Sequence, residues 1–304
     1  MANTLPEPLF IFEMANNHMG SVEHGIRIIR EFKEISKNFG FGLAFKLQYR
    51  QLDSFIHPNF RNRFDIKHVK RFQETRLSET EFLTLLDEIK QCGFLAMCTP
   101  FDEPSVDLIE HHSFDIIKIG SCSVTDWPLL ERIAQANKPI IASTAAVPLE
   151  DLDKVVGFFN HRGKELALMH CVAEYPTPES RFQLNQIDLL RGRYPQLRIG
   201  HSTHEDPSNV DGIKIAIAKG ASLFEKHVGV PTGAWPLNDY SATPAQVAAW
   251  LRAAQQAYEM CGAVGHRSAP AQVELESLYD LRRGVFAKTP IKAGEVISAE
   301  QVFM

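Results

Sequence analysis

Polar residues of a few types recur where the apolar runs of this chain end, and together they suit work on an anion. PLFIFE (8–13) passes directly into MANNHMG, so Glu13, Asn17 and His18 follow a segment apolar enough to be buried. Buried polar atoms without partners are costly, so such a strand delivers its last residues to a cleft; a turn capped by Glu13 and Asn17 is the alternative. Lys46 lies within LAFKLQ and Lys118 within DIIKIGS. An ammonium in mid-strand needs a counter-charge, which a bound phosphate or carboxylate would supply, or internally Glu13 or Glu225. Hydroxyls at Thr99, Ser121, Ser143 and Ser202 could complete a phosphate cradle, and a Schiff-base lysine is a further option. His204 in GHSTHED and His227 in FEKHVG could hold a divalent ion with open positions for a Lewis acid, or be hydrogen-bonded rim residues. His170 reads as a structural or supporting histidine.

Positioning these groups requires a repeating scaffold. Short apolar runs at 8–13, 42–48, 94–98, 115–119, 139–143, 166–170, 197–201 and 222–226 alternate with amphipathic stretches such as 22–38, 79–91 and 207–219. Eight strands each followed by a helix predict an α/β fold, a (β/α)8 barrel, whose functional face lies at the C-terminal strand ends. The candidates above, with Gln48, fall at those ends. A doubly wound sheet is the runner-up, but FEMANNHMG is no glycine-rich phosphate loop.

The bulk properties narrow the partners. A net charge of −5 with scattered Lys and Arg gives no nucleic-acid footprint. No apolar run approaches the ~18 residues of a membrane span, and the leading MANTLPEP has no signal-peptide core. Five cysteines without CxxC spacing suggest reduced thiols and a cytoplasmic setting.

The ordered motifs resemble the sialic acid synthase family, barrel enzymes that condense phosphoenolpyruvate with an N-acylated hexosamine. Glu13, Asn17, His18 and Gly20 match its E-[IM]-x-x-N-H-x-G opening. FKLQ (45–48), CTPFD (98–102), KIGS (118–121), PIIAST (139–144), MHCVAEYPTP (169–178), IGHSTHE (199–205) and FEKHVG (224–229) follow in family order. The resemblance implies phosphoenolpyruvate binding by Lys46, Thr99, Lys118, Ser121, Ser143 and Ser202. It implies a metal, manganese or else magnesium or cobalt, on His204 and His227, and catalytic roles for Glu13, Lys46, Lys118 and His204. Asn17, Gln48, Tyr175 and Asp239 would line the sugar pocket. The product would be a 2-keto-3-deoxy sugar acid of the nonulosonate kind, made by a transferase from phosphoenolpyruvate and a sugar aldehyde. The barrel domain is read as 1–275. Residues 276–304 resemble the linker and opening of the family's small antifreeze-like (SAF) domain, which in relatives is exchanged between subunits and so implies a homodimer.

Departures gather on the sugar side. Cys122 and Ser123 follow KIGS where the family has a glutamate, Ala173 replaces a polar residue, Ala145 replaces a glycine, and WPLNDYSATP (235–244) is short although it keeps Asp239. A site lacking partners for a polar substituent selects against it, so a different acceptor is expected. A phosphorylated sugar is one alternative, with Arg61, Arg63, Lys67 and Lys70 of the 61–76 loop as candidate contacts. A metal-dependent barrel hydrolase and a non-catalytic sugar-acid-binding relative are others.

Overall fold

The computed structural model describes residues 5–304, so the first four residues of MANTLPEP lie outside it. Strands β1 (Leu9–Glu13), β2 (Gly42–Tyr49), β3 (Leu95–Pro100), β4 (Ile116–Ile119), β5 (Ile140–Ser143), β6 (Leu166–Cys171), β7 (Arg198–Thr203) and β8 (Leu223–His227) pair in parallel and in chain order. β8 pairs back onto β1, which closes the barrel expected from the alternation. Helices fill the connections. Val22–Ser36 starts where Ser21 Oγ accepts from the His24 N–H, and it buries Ile28, Ile29 and Phe32, one stripe at helical spacing. Glu79–Gln91 starts with a capping box between Ser78 and Glu81. The third helix read from the sequence begins later, at Asp211, because Asn209 Oδ1 accepts from the N–H groups of Asp211 and Gly212 and turns the preceding residues. The 61–76 segment, read as a loop, contains the helix Lys67–Glu74.

Side chains alternate along a strand, so one parity of every strand faces the barrel axis. Leu9, Ile11, Ala44, Met97, Ile116, Ile141, Ala167, Met169 and Leu223 form that inner core. The opposite parity, including Phe10, Phe12, Phe45 and Ile117, packs outward with the helices. On β7 the inward position level with Leu223 is Gly200, where a Cβ would stand 2.4 Å from the Leu223 carbonyl oxygen. Outward-facing His170 and His201 stack at 5.9 Å, and burial with the neighbouring His170 pushes His201 down to about 3.

The chain divides into two compact units at 260/261, whereas the sequence reading kept 261–275 with the barrel. The second unit holds the helix Gln272–Tyr279 and an antiparallel pair, Phe286–Ala287 with Val302–Phe303. Among the described residues no helix is long and apolar enough to cross a membrane.

Two outcomes follow from this packing. Gly200→Ala should lower stability in chemical denaturation by about 2–3 kcal/mol, because the obstacle is rigid backbone; an unchanged midpoint would contradict the close approach. His201 has a folded pKa below its unfolded value of about 6.5, so its contribution is complete above that pH and is lost as pH falls toward 3. Stability should therefore decline on acidification from pH 6.5 with a share of about 1.4 kcal/mol per pH unit that His201→Gln removes. Equal slopes in both proteins would refute it.

Candidate active site

The inward parity that gives apolar side chains at the base of the barrel gives polar ones at its C-terminal end. Glu13, Lys46, Gln48, Thr99, Lys118, Ser143, Cys171, Ser202, Glu225 and His227 all continue it, and His204 follows just beyond β7. Register then sets neighbours. Glu13 is level with Lys46 on one side and His227 on the other, Gln48 with Thr99, and Ser202 with both Cys171 and Glu225.

Glu225 is the hub. Its Oε2 accepts from Lys46 Nζ at 2.7 Å, and its Oε1 accepts from Lys118 Nζ at 3.2 Å and Ser202 Oγ at 3.0 Å. Lys46 Nζ also stands 2.6 Å from Glu13 Oε2, while Glu13 Oε1 accepts from the Ala15 N–H at 2.5 Å. All four charged side chains are buried. The two lysines are thus held by internal carboxylates, the pairing weighed against a bound anion from sequence. Burial alone would raise Glu225, but Lys118 and Lys46 outweigh it and hold the carboxyl well below the usual range. Burial lifts Glu13 in spite of Lys46 beside it. Burial also lowers Lys118, whereas in Lys46 the two flanking carboxylates overcome burial and raise the ammonium.

The hydroxyls divide into two kinds. Ser202 Oγ is spent on Glu225, and Ser121 Oγ accepts from the Ala145 N–H at 3.0 Å. Thr99 Oγ1 and Ser143 Oγ are buried without a hydrogen-bond partner. Orphaned buried hydroxyls are uncommon and costly, and these two stand at the ends of β3 and β5, on the inward parity.

His204 and His227 lie with ring centroids 5.2 Å apart. The 2.9 Å contact between His204 Nδ1 and the Val172 carbonyl assigns the proton to Nδ1, which leaves Nε2 with its lone pair. Burial pushes His204 down to about 4 and His227 to about 3, so both are neutral imidazoles near pH 7, the form that binds metal. No cluster of three His, Cys, Asp or Glu ligands occurs among the described residues. The donor set fits an ion that keeps open positions.

The remaining candidates lie farther out. Tyr175, half exposed, lies over His204 at 4.1 Å between ring centroids and meets Tyr240 at 5.1 Å. Gln48 Oε1 accepts from Arg50 Nη2 at 2.8 Å. Asn17 Nδ2 donates to the Val228 carbonyl and to Ser241 Oγ, which fastens the β1 loop to the segment after β8. Asp239 is exposed in that segment, and it is the next residue, Tyr240, that lies 5.2 Å from His227. Sequence reasoning missed Tyr240 and treated Glu225 only as a counter-charge; strand parity would have singled out Glu225. His170 faces outward, its Nε2 at 2.7 Å from the Phe182 carbonyl, as a supporting residue would.

Comparison with known proteins gives a consistent result. Residues 36–266 match the model of the NeuB family. A crystal structure from Chromobacterium violaceum, of a protein named for spore coat polysaccharide biosynthesis protein E, is 56% identical and superposes with a TM-score of 0.94 over 98% of this chain and 88% of that one. An N-acetylneuraminic acid synthetase from Leptospira borgpetersenii is 25% identical, with a TM-score of 0.77 over 90% and 91%. The N-acetylneuraminate-9-phosphate synthase of Drosophila melanogaster is 31% identical over 71% of this chain and 59% of its own length. With its closed barrel, its motif order and these relatives, the chain belongs to the NeuB family of sialic acid synthases.

Proposed function

We propose that this protein condenses phosphoenolpyruvate with the aldehyde of an open-chain sugar, releasing phosphate and forming a 2-keto-3-deoxy sugar acid. The observation that carries this reading is the pair of unpartnered hydroxyls, Thr99 and Ser143, on the same inward rim as the Lys46–Glu225–Lys118 network. Phosphoenolpyruvate brings a carboxylate and a phosphate whose oxygens would accept from those hydroxyls and from the lysines. Lys46, Lys118 and Ser121, whose O–H is not engaged, complete the cradle in this reading, and Ser202 would join it by turning its O–H from Glu225 to the ligand.

The residues then have distinct tasks. The lysines and hydroxyls hold phosphoenolpyruvate with C3 toward the sugar aldehyde, and fixed orientation supplies a large part of the rate. A bond forms between C3 and the aldehyde carbon from the C2–C3 π electrons as the carbonyl π bond opens, the aldehyde oxygen takes a proton from solvent, and positive charge develops at C2. Water adds at C2 and gives its proton to Glu13, whose raised pKa suits a proton acceptor. The tetrahedral centre then breaks its bond to the phosphate oxygen and becomes the ketone, its hydroxyl proton passing to the leaving phosphate, while Lys46 and Lys118 stabilise the departing phosphate. His204 and His227 would hold a divalent ion, manganese, magnesium or cobalt, and such an ion would polarise the aldehyde oxygen.

The reading carries a homodimer and a cytoplasmic setting with it. Val285, Phe286, Val296, Ile297 and Phe303 of the second unit are exposed, apolar surface that a second chain would cover. The five cysteines are free thiols, as in a reducing compartment.

Phosphate release from phosphoenolpyruvate across a panel of aldoses, N-acylhexosamines and sugar phosphates tests the reaction. Release should require an acceptor and stop when a chelator removes the metal. Glu13→Gln should lower kcat by about 10²–10⁴ with little change in the KM for phosphoenolpyruvate. Release that survives chelation would remove the metal from the scheme, and a Glu13→Gln enzyme with unchanged kcat would remove the base.

A further inference from the structure

The ladder between β7 and β8 stops one residue short of His204 and His227, where Thr203 stands level with Lys226. From there the two backbones are bonded in opposite directions. The His204 carbonyl accepts from the Thr177 N–H at 2.9 Å, which ties it to the segment after β6. The His227 carbonyl accepts from the Ala242 N–H at 2.8 Å, and the next N–H, of Val228, donates to the Glu13 carbonyl at 2.9 Å. Each histidine is thus fastened away from the other, although one ion would have to touch both.

An ion pair on the outer side of the sheet bridges this gap. Side chains alternate along a strand, so Lys226 faces outward between the inward Glu225 and His227. Lys226 Nζ donates to Glu205 Oε1 at 2.9 Å, and both side chains are 1% exposed. Lys226 immediately precedes His227 and Glu205 immediately follows His204. The pair therefore runs diagonally behind the two imidazoles, from the last rung of the ladder to a point one residue beyond His204.

Its surroundings hold it closely. Lys226 Nζ lies 5.6 Å from the Trp250 ring. On the other side Gly212, in the first turn of the helix Asp211–Ala218, closes over the carboxylate: a Cβ there would stand 2.6 Å from Glu205 Oε2. That second oxygen is buried without a hydrogen-bond partner. A dry ion pair with one oxygen unsatisfied contributes little stability beyond what apolar side chains of the same size would give. What it supplies is a fixed length between two strands at the level where their ladder has ended.

We propose that Glu205 and Lys226 are positioning residues for the metal site, their ion pair setting the separation of His204 and His227 and with it the affinity for a divalent ion. The contact of His204 Nδ1 with the Val172 carbonyl orients one ring, and the ion pair fixes the distance between the two. The inference rests on the metal site of the synthase reading above and adds what holds its geometry.

Manganese binding to the full chain, without phosphoenolpyruvate or acceptor, is read from the electron paramagnetic resonance signal of the free ion, beside the midpoint of chemical denaturation. In the double variant Glu205→Met with Lys226→Met, the midpoint should equal or exceed that of the wild type while the manganese Kd rises about tenfold or more. Glu205→Asp, which keeps the charge and shortens the tie by one methylene, should weaken binding in the same way. Glu205→Gln, which keeps the length and an acceptor oxygen for Lys226, should retain the wild-type affinity. If the double variant does not fold, these two single variants decide. A double variant that binds manganese as the wild type does overturns the proposal and leaves the metal site intact. Weaker binding by Glu205→Gln than by Glu205→Asp also overturns it, because charge and not length would then be what matters. Failure of the wild type to bind manganese overturns the metal site and its tie together, and phosphoenolpyruvate binding tests the rest of the synthase reading separately.

Discussion

The site depends on one buried carboxylate. Glu225 holds the ammonium groups of Lys46 and Lys118 at the centre of the barrel mouth, with Ser202 supporting its second oxygen. Charges taken out of water are tolerated only when they are paired and hydrogen-bonded, and breaking one partner of such a set leaves an uncompensated charge behind. The barrel makes this arrangement affordable because register, not side-chain flexibility, brings the groups together. Glu13 stands level with Lys46 and His227, and Ser202 with Glu225.

That pairing has a consequence for any ligand. Two ammonium groups and two carboxylates carry no net charge, so the interior by itself offers little attraction to an anion as highly charged as phosphoenolpyruvate. In the proposed reaction His204 and His227 would add positive charge by holding a divalent ion. In the proposed reaction the buried, unpartnered hydroxyls of Thr99 and Ser143 would supply directional donors that the charges do not.

The barrel was legible in the sequence because eight apolar runs and their intervening helices repeat with little interruption. Lys46 and Lys118 stood out because an ammonium in mid-strand is rare. The same strand β8 shows where such reading loses information: in FEKH, Glu225 and His227 face the axis while Lys226 faces outward to Glu205 and lies 5.6 Å from the Trp250 ring. Both lysine–glutamate sets are equally buried, and parity alone tells the site from the scaffold. Segments without periodicity were less readable. The helix Lys67–Glu74 is strongly polar and has no side-chain cap, so its existence was not evident. Tyr240 sits in an irregular stretch after β8, where only tertiary contact with His204 and His227 reveals it.

The most direct measurement is calorimetric titration of phosphoenolpyruvate into the protein with manganese present, without acceptor, for the wild type and Lys118→Met. The account predicts one phosphoenolpyruvate per chain, and an affinity reduced by about tenfold or more in the variant while its circular dichroism is unchanged. Equal binding by both proteins, or no binding by the wild type, would contradict the claim that the Glu225-centred network exists to receive phosphoenolpyruvate.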